Sequence, residues 1–143
     1  MSPEPGFARA RLDPDTSERF VGLRRQLGVE AFGLNQMTLQ PGQRGRIHRH
    51  ERQHEVYLVL EGELAVSIEQ QEQTLGVGEL IRVAPERRRQ LTNRSGARVI
   101  FLAIGGAGRH EGRDGEAFAS WDQDQGTSPQ ELPLPEDLPP AER

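Results

Sequence analysis

Between residues 30 and 104 the sequence consists of short apolar runs separated by turn residues. The runs cover residues 30–40, 45–50, 54–61, 63–69, 74–76, 79–84, 88–93 and 97–104. No helical spacing interrupts them, and breaks such as Pro41-Gly42 are typical of tight turns. Short strands at such close spacing predict an all-β sandwich or a closed barrel.

A pair of histidines lies within this β region. His48 and His50 stand two residues apart in a strand-like segment, so both imidazoles point to one face. Glu55 opens the next run, which ends before Gly62, a residue that can adopt a positive φ and reverse the chain. If these two strands pair antiparallel, the imidazoles and the carboxylate converge. Such a donor set suits a divalent transition metal and leaves coordination positions open, whereas His54 alternates away from it.

The spacing of these residues resembles the first signature of the cupin superfamily. That signature has Gly, five residues, His-x-His, four residues, Glu, six residues and Gly, and it matches Gly42, His48, His50, Glu55 and Gly62. The resemblance covers residues 30–105 and implies a cupin-type double-stranded β-helix, or jelly-roll, barrel. It also implies that the two histidines and the glutamate bind a divalent transition metal (Fe, Mn, Ni, Co or Zn). Because cupins commonly pair through exposed strands, it implies a homodimer.

The second cupin signature is matched only in part. Gly78 and Asn93 occupy its two ends, but Ala84 and Glu86 stand where the family has proline and glycine. Arg89 occupies the place of the fourth metal ligand, a histidine in the family. A guanidinium cannot bind a cation, so this position departs from the family where the chemistry depends on it.

Two alternatives follow for Arg89. Strand alternation places it on the same face as Leu91 and opposite Gln90. If that face is interior, the buried guanidinium needs an anionic partner. The partner is either Glu55, as an ion pair in place of a metal ligand, or an anionic group of a small molecule that also contacts the metal. Tyr57 shares the parity of Glu55 and is predicted to line the same pocket.

The sequence outside the β region predicts two terminal extensions. A capping-box pattern, Asp15 to Glu18, precedes apolar residues at helical spacing, and Gly28 is a natural stop. The last segment is rich in Pro, Asp, Glu and Gln, a composition typical of disorder. The predicted organisation is therefore an N-terminal tail and short helix (1–28), the barrel (29–106), and an exit loop with a mostly disordered acidic tail (107–143).

Composition excludes several classes of function. A chain of 143 residues is sufficient for one domain. It has no cysteine, which excludes disulfides, thiolate nucleophiles and cysteine zinc sites, and all 18 basic residues are arginine, which excludes lysine chemistry. The net charge of −4 does not indicate a surface that binds nucleic acid. No run is long enough to span a membrane and the start lacks a signal-peptide pattern, so we expect a cytoplasmic protein with no membrane partner.

Two classes of function remain open. A metal with three protein ligands suits a dioxygenase or an isomerase. The missing fourth ligand instead suits a non-catalytic small-molecule-binding or sensor protein with a degraded or absent metal site. The sequence shows no nucleophile–base pair, so catalytic residues stay unknown. In either class, the expected partner is a small, anionic molecule bound in the barrel.

Overall fold

The computed structural model describes residues 6–106 and 114–143, which contain ten strands and one short helix. In chain order these elements are β1 (Phe20–Gly22), α1 (Leu23–Leu27), β2 (Gly33–Leu39), β3 (Ile47–His50), β4 (His54–Glu61), β5 (Leu64–Ile68), β6 (Gln71–Leu75), β7 (Leu80–Val83), β8 (Arg89–Thr92), β9 (Val99–Gly106) and β10 (Gly115–Phe118). Two 3₁₀ turns follow, Pro129–Glu131 and Pro140–Glu142. No helix in the described ranges is long and apolar enough to cross a membrane.

The strands form two five-stranded antiparallel sheets. The first has the order β1-β2-β9-β4-β7 and the second β10-β3-β8-β5-β6. Side chains from both sheets meet in one apolar core, whose fully buried members include Tyr57, Val59, Leu64, Val66 and Phe101. The strand periodicity of the sequence produces this arrangement because alternate residues of each run face inward. The all-β, jelly-roll prediction is confirmed.

The strands β3 and β4 follow one another in sequence but belong to different sheets. β3 pairs with β8 and β10, whereas β4 pairs with β7 and β9. The loop 51–53 joins them at one end of the barrel. The antiparallel β3–β4 pair considered from the sequence therefore does not form. Residues of the two strands approach one another across the barrel interior instead.

The N-terminal segment contains a shorter helix than the sequence predicts. The capping-box prediction is wrong, since Phe20–Gly22 is a strand paired with β2 and α1 is a single turn that ends at Gly28. The reason is a tertiary contact. The buried Gln36 side chain accepts a hydrogen bond from the Asp13 N–H (2.8 Å) and donates one to the Asp13 carbonyl (2.7 Å). These bonds hold the segment along β2.

The acidic C-terminal segment, for which the sequence predicts disorder, lies along the barrel in residues 114–143, whereas residues 107–113 of the predicted exit loop lie outside the described ranges. β10 pairs with β3, and Phe118 and Leu138 are buried. Arginines of the barrel donate hydrogen bonds to main-chain carbonyls of the segment: Arg44 to Glu136, Arg46 to Leu132 and Arg94 to Glu142. Apolar anchors and arginine donors thus supply the contacts that composition alone does not reveal. Together with β1, this strand extends the sheets beyond the predicted limits of 29–106.

Candidate functional site

The two histidines and the glutamate meet at one end of the barrel interior. The Nε2 atoms of His48 and His50 lie 3.3 and 3.2 Å from the same oxygen, Oε1 of Glu55. Within the described part of the chain these three residues form the group whose ligand atoms lie within 4.8 Å of one another. His54 points outward and contacts Arg82. The convergence expected from the sequence is therefore present, although it arises between sheets.

The geometry of this group fits a divalent metal ion. Ligand atoms each about 2.1 Å from one ion, at angles of about 90–110°, lie about 3.0–3.4 Å from each other. The distances between the Glu55 oxygen and the two imidazole nitrogens fall in that interval. In addition, both ring nitrogens of His50 are buried and receive no hydrogen bond from any residue in the described ranges. A cation bound to Nε2, the nitrogen that faces Glu55, would give this buried atom a partner.

The Glu55 carboxyl group is ionised at neutral pH. Burial alone would raise its pKa, but the hydrogen bond with His48 and the electrostatic contacts with both imidazoles outweigh burial and hold the pKa well below its usual range. Its side chain is mostly buried, with 16% exposed. An ionised carboxylate beside two imidazoles is the donor set that a divalent transition metal requires.

Arg89 lies behind this cluster and is completely buried. Its Nε atom is 3.6 Å from Oε1 of Glu55. The rest of the guanidinium faces the backbone: Nη1 donates to the carbonyl of Arg87 (2.8 Å) and, at longer range, to those of His48 and Pro85 (3.4 Å each), and Nη2 donates to that of Ala84 (3.5 Å). Arg89 therefore faces the same Glu55 oxygen as the two histidines, so pairing with Arg89 and a place for Glu55 in the histidine cluster, which the sequence presents as alternatives, occur together in this geometry.

The strand register predicted for β8 is correct. His48 lies directly opposite Arg89 on the neighbouring strand. Gln90 points to the other face, where its side-chain amide donates to the carbonyl of Gly45 (3.0 Å). Asn93, the last residue of the second signature, is fully buried and ties two chain segments together through its amide group. Position 89 therefore differs from the cupin signature in its side chain, while the register of β8 is the one that the signature predicts.

Tyr57 also lies behind the Glu55 carboxylate. Its hydroxyl donates a hydrogen bond to Oε1 of Glu55 (2.5 Å), and its ring packs edge to face against Phe101 at 6.1 Å. Burial and then the negative charge of Glu55 raise the pKa of the phenol well above its usual value. The side chain is only 1% exposed. Tyr57 is thus a neutral donor that orients the carboxylate.

A cavity of about 550 Å³ opens in front of the cluster. Its wall includes Glu55 and His50, and also two arginines of α1, Arg24 and Arg25. The remaining lining residues are Phe20, Gly22, Gly33, Asn35 and Gln53. The wall is built by the pairing of β1 with β2, which brings α1 to the mouth of the barrel.

The two arginines of α1 are cavity residues that the sequence does not indicate. No motif marks Arg24 or Arg25 as part of a site. Their position depends on a tertiary contact between distant segments. Conversely, Arg89 and Tyr57 lie behind Glu55 and do not line this cavity. Their predicted direct contact with a small molecule stays a prediction.

Comparisons with known proteins agree with this architecture. The sequence profile of the family Cupin_2, described as "Cupin domain", matches residues 35–105. No curated protein matches the sequence. Among solved structures, a cupin protein from Bacteroides fragilis superposes with a TM-score of 0.66 at 24% sequence identity, over 76% of this chain and 92% of that one.

Two further solved structures are similar. One is described as a sugar phosphate isomerase from a cupin superfamily, from Silicibacter pomeroyi. It has a TM-score of 0.62 and 26% identity, and the match covers 71% of this chain but only 65% of that protein, less than two thirds of its length. The other is the Cupin_2 domain of an XRE family transcriptional regulator from Enterobacter cloacae, with a TM-score of 0.57 and 24% identity over 64% of this chain and all of that domain.

Proposed function

This chain belongs to the cupin superfamily, and from that premise we propose that it binds a divalent metal ion through His48, His50 and Glu55 and a small anionic molecule in the cavity before them. The observation that carries the proposal is the approach of both imidazoles to one ionised carboxylate oxygen at ligand–ligand distances. A bound ion of this kind supplies Lewis-acid polarisation of an oxygen atom that it coordinates. Tyr57 and Arg89 hold the carboxylate from behind and keep its oxygen directed at the histidines.

The charge of the cavity wall favours an anionic ligand. Arg24 and Arg25 are its basic residues, and Arg24 is anchored by a hydrogen bond to the carbonyl of Val29 (3.2 Å). The negative charge of Glu55, which would repel an anion, is balanced by its contacts with the two histidines and Arg89. The arginine pair at the mouth therefore offers the charge-assisted hydrogen bonds that a carboxylate or phosphate group accepts.

The wall offers little for acid–base catalysis. Among its described residues, the side chains of the kind used as general acids or bases are His50 and Glu55, and both belong to the proposed metal-binding group. This favours metal-dependent binding of a small molecule over proton transfer. An isomerase is the second candidate, favoured by the likeness to the Silicibacter pomeroyi protein, whose described substrate class carries a phosphate group.

The metal proposal is tested by titrating metal-free protein with Co²⁺, whose visible absorption reports on its ligands. We expect about one equivalent per chain. His50→Ala should abolish binding, whereas His54→Ala, an exposed histidine nearby, should leave it unchanged. Occupancy should fall as pH drops through about 6, because imidazoles must be neutral to bind the ion. Wild-type protein that binds neither Co²⁺ nor Zn²⁺, Mn²⁺, Ni²⁺ or Fe²⁺ would contradict the proposal.

The anion proposal is tested on Co²⁺-loaded protein with inorganic phosphate as the probe. Arg25→Gln should weaken phosphate binding by about threefold or more, the effect expected of a partly exposed charge contact. Arg87→Gln removes an exposed charge that does not line the cavity and serves as the matched control. Equal affinities in the two variants would remove Arg25 from the ligand site and leave the metal proposal standing.

We further propose that the protein is a homodimer that pairs through the outer face of the first sheet. On that face the register aligns Leu80 with Leu58 and Leu58 with Leu102, and Val56 lies opposite Ile104 in the next row. These side chains remain partly or largely exposed in one chain. A contiguous apolar patch of this kind is a common mark of a protein interface.

A further inference from the structure

Asp114, immediately before β10, binds the backbone of the loop 51–53. This loop lies between His50 and Glu55, two of the proposed metal ligands. Its Oδ1 atom accepts hydrogen bonds from the N–H groups of Glu51 (3.1 Å) and Arg52 (3.2 Å). Its Oδ2 atom accepts from the N–H groups of Arg52 (3.0 Å) and Gln53 (2.8 Å). One carboxylate therefore faces three consecutive backbone donors, of which the Glu51 N–H is shared with the Asp114 carbonyl (3.1 Å). Only 1% of its side chain is exposed.

The position of this loop determines how the ligands meet. Residues 51–53 connect His50, the last residue of β3, with β4, which begins at His54 and carries Glu55. Because β3 and β4 are in different sheets, no ladder hydrogen bond between them sets the distance from His50 to Glu55. The loop therefore contributes to that distance together with the packing of the two sheets, and a loop whose N–H groups are bound by a buried carboxylate has few alternative conformations.

Asp114 also lies beside the second nitrogen of His50. The distance from Nδ1 to Oδ2 is 3.8 Å, longer than a hydrogen bond but short enough for a direct electrostatic contact. Gly115 pairs with His50 across the β3–β10 ladder, which fixes this approach. The Asp114 carboxylate thus lies on the Nδ1 side of the ring, and Nε2 is the nitrogen that faces Glu55.

We propose that Asp114 is a positioning residue of the metal centre: it fixes the 51–53 loop and the ring of His50 so that Nε2 of His50 and Oε1 of Glu55 stand at ligand distance before the ion arrives. The proposal rests on the metal-binding function proposed above. It assigns a role in the site to the C-terminal segment, whose acidic residues carry no recognisable motif.

The test is Co²⁺ affinity in Asp114→Asn. The substitution keeps the shape of the side chain but turns one acceptor oxygen into an NH₂ group that faces backbone donors. We expect the Kd for Co²⁺ to rise about tenfold or more, the effect typical of losing a partner that orients a ligand. Glu116→Gln is the matched control, because Glu116 is a carboxylate of the same segment that pairs with Arg49 and contacts neither the loop nor His50. Its Kd should stay within about twofold of wild type.

If Asp114 has a purely structural role, Asp114→Asn lowers the melting temperature of the metal-free protein but leaves the Kd for Co²⁺ of the folded variant at the wild-type value. That result overturns the positioning role. Failure of the wild type itself to bind Co²⁺ overturns the metal function and this proposal together. Tight wild-type binding with an unchanged Kd in Asp114→Asn overturns this proposal alone.

A second measurement needs no variant and applies even if Asp114→Asn does not fold. In metal-free wild-type protein, the amide protons of Arg52 and Gln53 should exchange with solvent as slowly as those of paired residues in β3, because the buried carboxylate accepts both. Exchange at the rate of an unprotected loop would show that Asp114 does not fix the segment, and the proposal would be wrong.

Discussion

Arg89 and Glu55 form a buried pair whose members are held by different parts of the barrel. The sequence offered Glu55 as one of two anionic partners for Arg89 if that side chain faces the interior, and in the structure Arg89 is buried with its Nε atom 3.6 Å from Glu55. The sequence was not sufficient to predict that the Nη atoms bind backbone carbonyls, such as that of Arg87. Those acceptors arise from the path of the chain before β8, which side-chain patterns do not encode. The guanidinium of Arg89 is therefore a fixed positive charge behind the cluster of His48, His50 and Glu55.

Arg89→Met tests the importance of that charge. It removes the cation while keeping much of the side-chain volume, and it leaves the Glu55 carboxylate and several carbonyls without their donor. We expect the free energy of unfolding of the metal-free protein to fall by about 3–5 kcal/mol, the effect of breaking a buried pair. Co²⁺ affinity should rise, because a positive charge beside the ligands is gone.

The control for this experiment is Arg87→Met, two residues earlier in the same basic run. Arg87 is exposed, so its replacement should change the free energy of unfolding by no more than about 0.5 kcal/mol. Chemical denaturation with and without Co²⁺ measures both effects. Equal stability of the two variants would contradict the ion-pair interpretation of Arg89.

Tyr57 gives a spectroscopic prediction, since it is the one tyrosine of the chain. Burial and the nearby Glu55 raise its pKa, so the folded protein keeps the phenol proton at pH values where an unfolded chain releases it. Stability is therefore unaffected below the ordinary tyrosine pKa of about 10 and falls as pH rises above it. In metal-free protein the tyrosinate absorbance near 295 nm should appear only together with unfolding. Ionisation of the native protein near pH 10 would contradict the buried hydrogen bond to Glu55.

At the scale of elements, periodicity predicted the central strands well and the chain ends poorly. Each apolar run from residue 30 to 104 overlaps an observed strand, because alternation records which side faces the core, although the run 74–76 meets only the end of β6 (Gln71–Leu75). The segments at both ends join the sheets through a few tertiary contacts, such as Gln36 with Asp13 and the burial of Phe118. Local sequence favoured a helix at one end and disorder at the other. Those preferences were overridden by pairing with β2 and β3.

The reversal between β4 and β5 depends on Gly62. Its φ is 80°, and a Cβ there would overlap the carbonyl oxygen of Arg98. We expect Gly62→Ala to lower the free energy of unfolding by about 2 kcal/mol, from the left-handed backbone and the steric overlap. Gly96→Ala is the matched control, since Gly96 has open space at its Cβ position and no positive φ. A thermal or urea denaturation that ranks both variants alike would contradict this account.

For the whole molecule, the exposed leucine row of the first sheet gives a test of the proposed dimer. Leu80 is 60% exposed in one chain, so Leu80→Glu should not unfold a monomer but should disrupt an apolar interface. Light scattering of the wild type should return twice the chain mass of 16.0 kDa, and that of Leu80→Glu the single mass. Thr74→Glu, an exposed position of β6 in the other sheet, should remain dimeric. A monomeric wild type at micromolar concentration would remove the proposal.

The C-terminal segment is attached to the barrel mainly through its main chain. Arg44, Arg46 and Arg94 each donate to a carbonyl oxygen, an acceptor that every amino acid provides. Apart from Asp114 and apolar anchors such as Leu138, the side chains of this segment can therefore vary without loss of these contacts. Substitutions on its surface would alter the charge and solubility of the protein while the main chain of the segment stays in place. The outer surface of the barrel can thus change in sequence without a change in the residues that line the cavity.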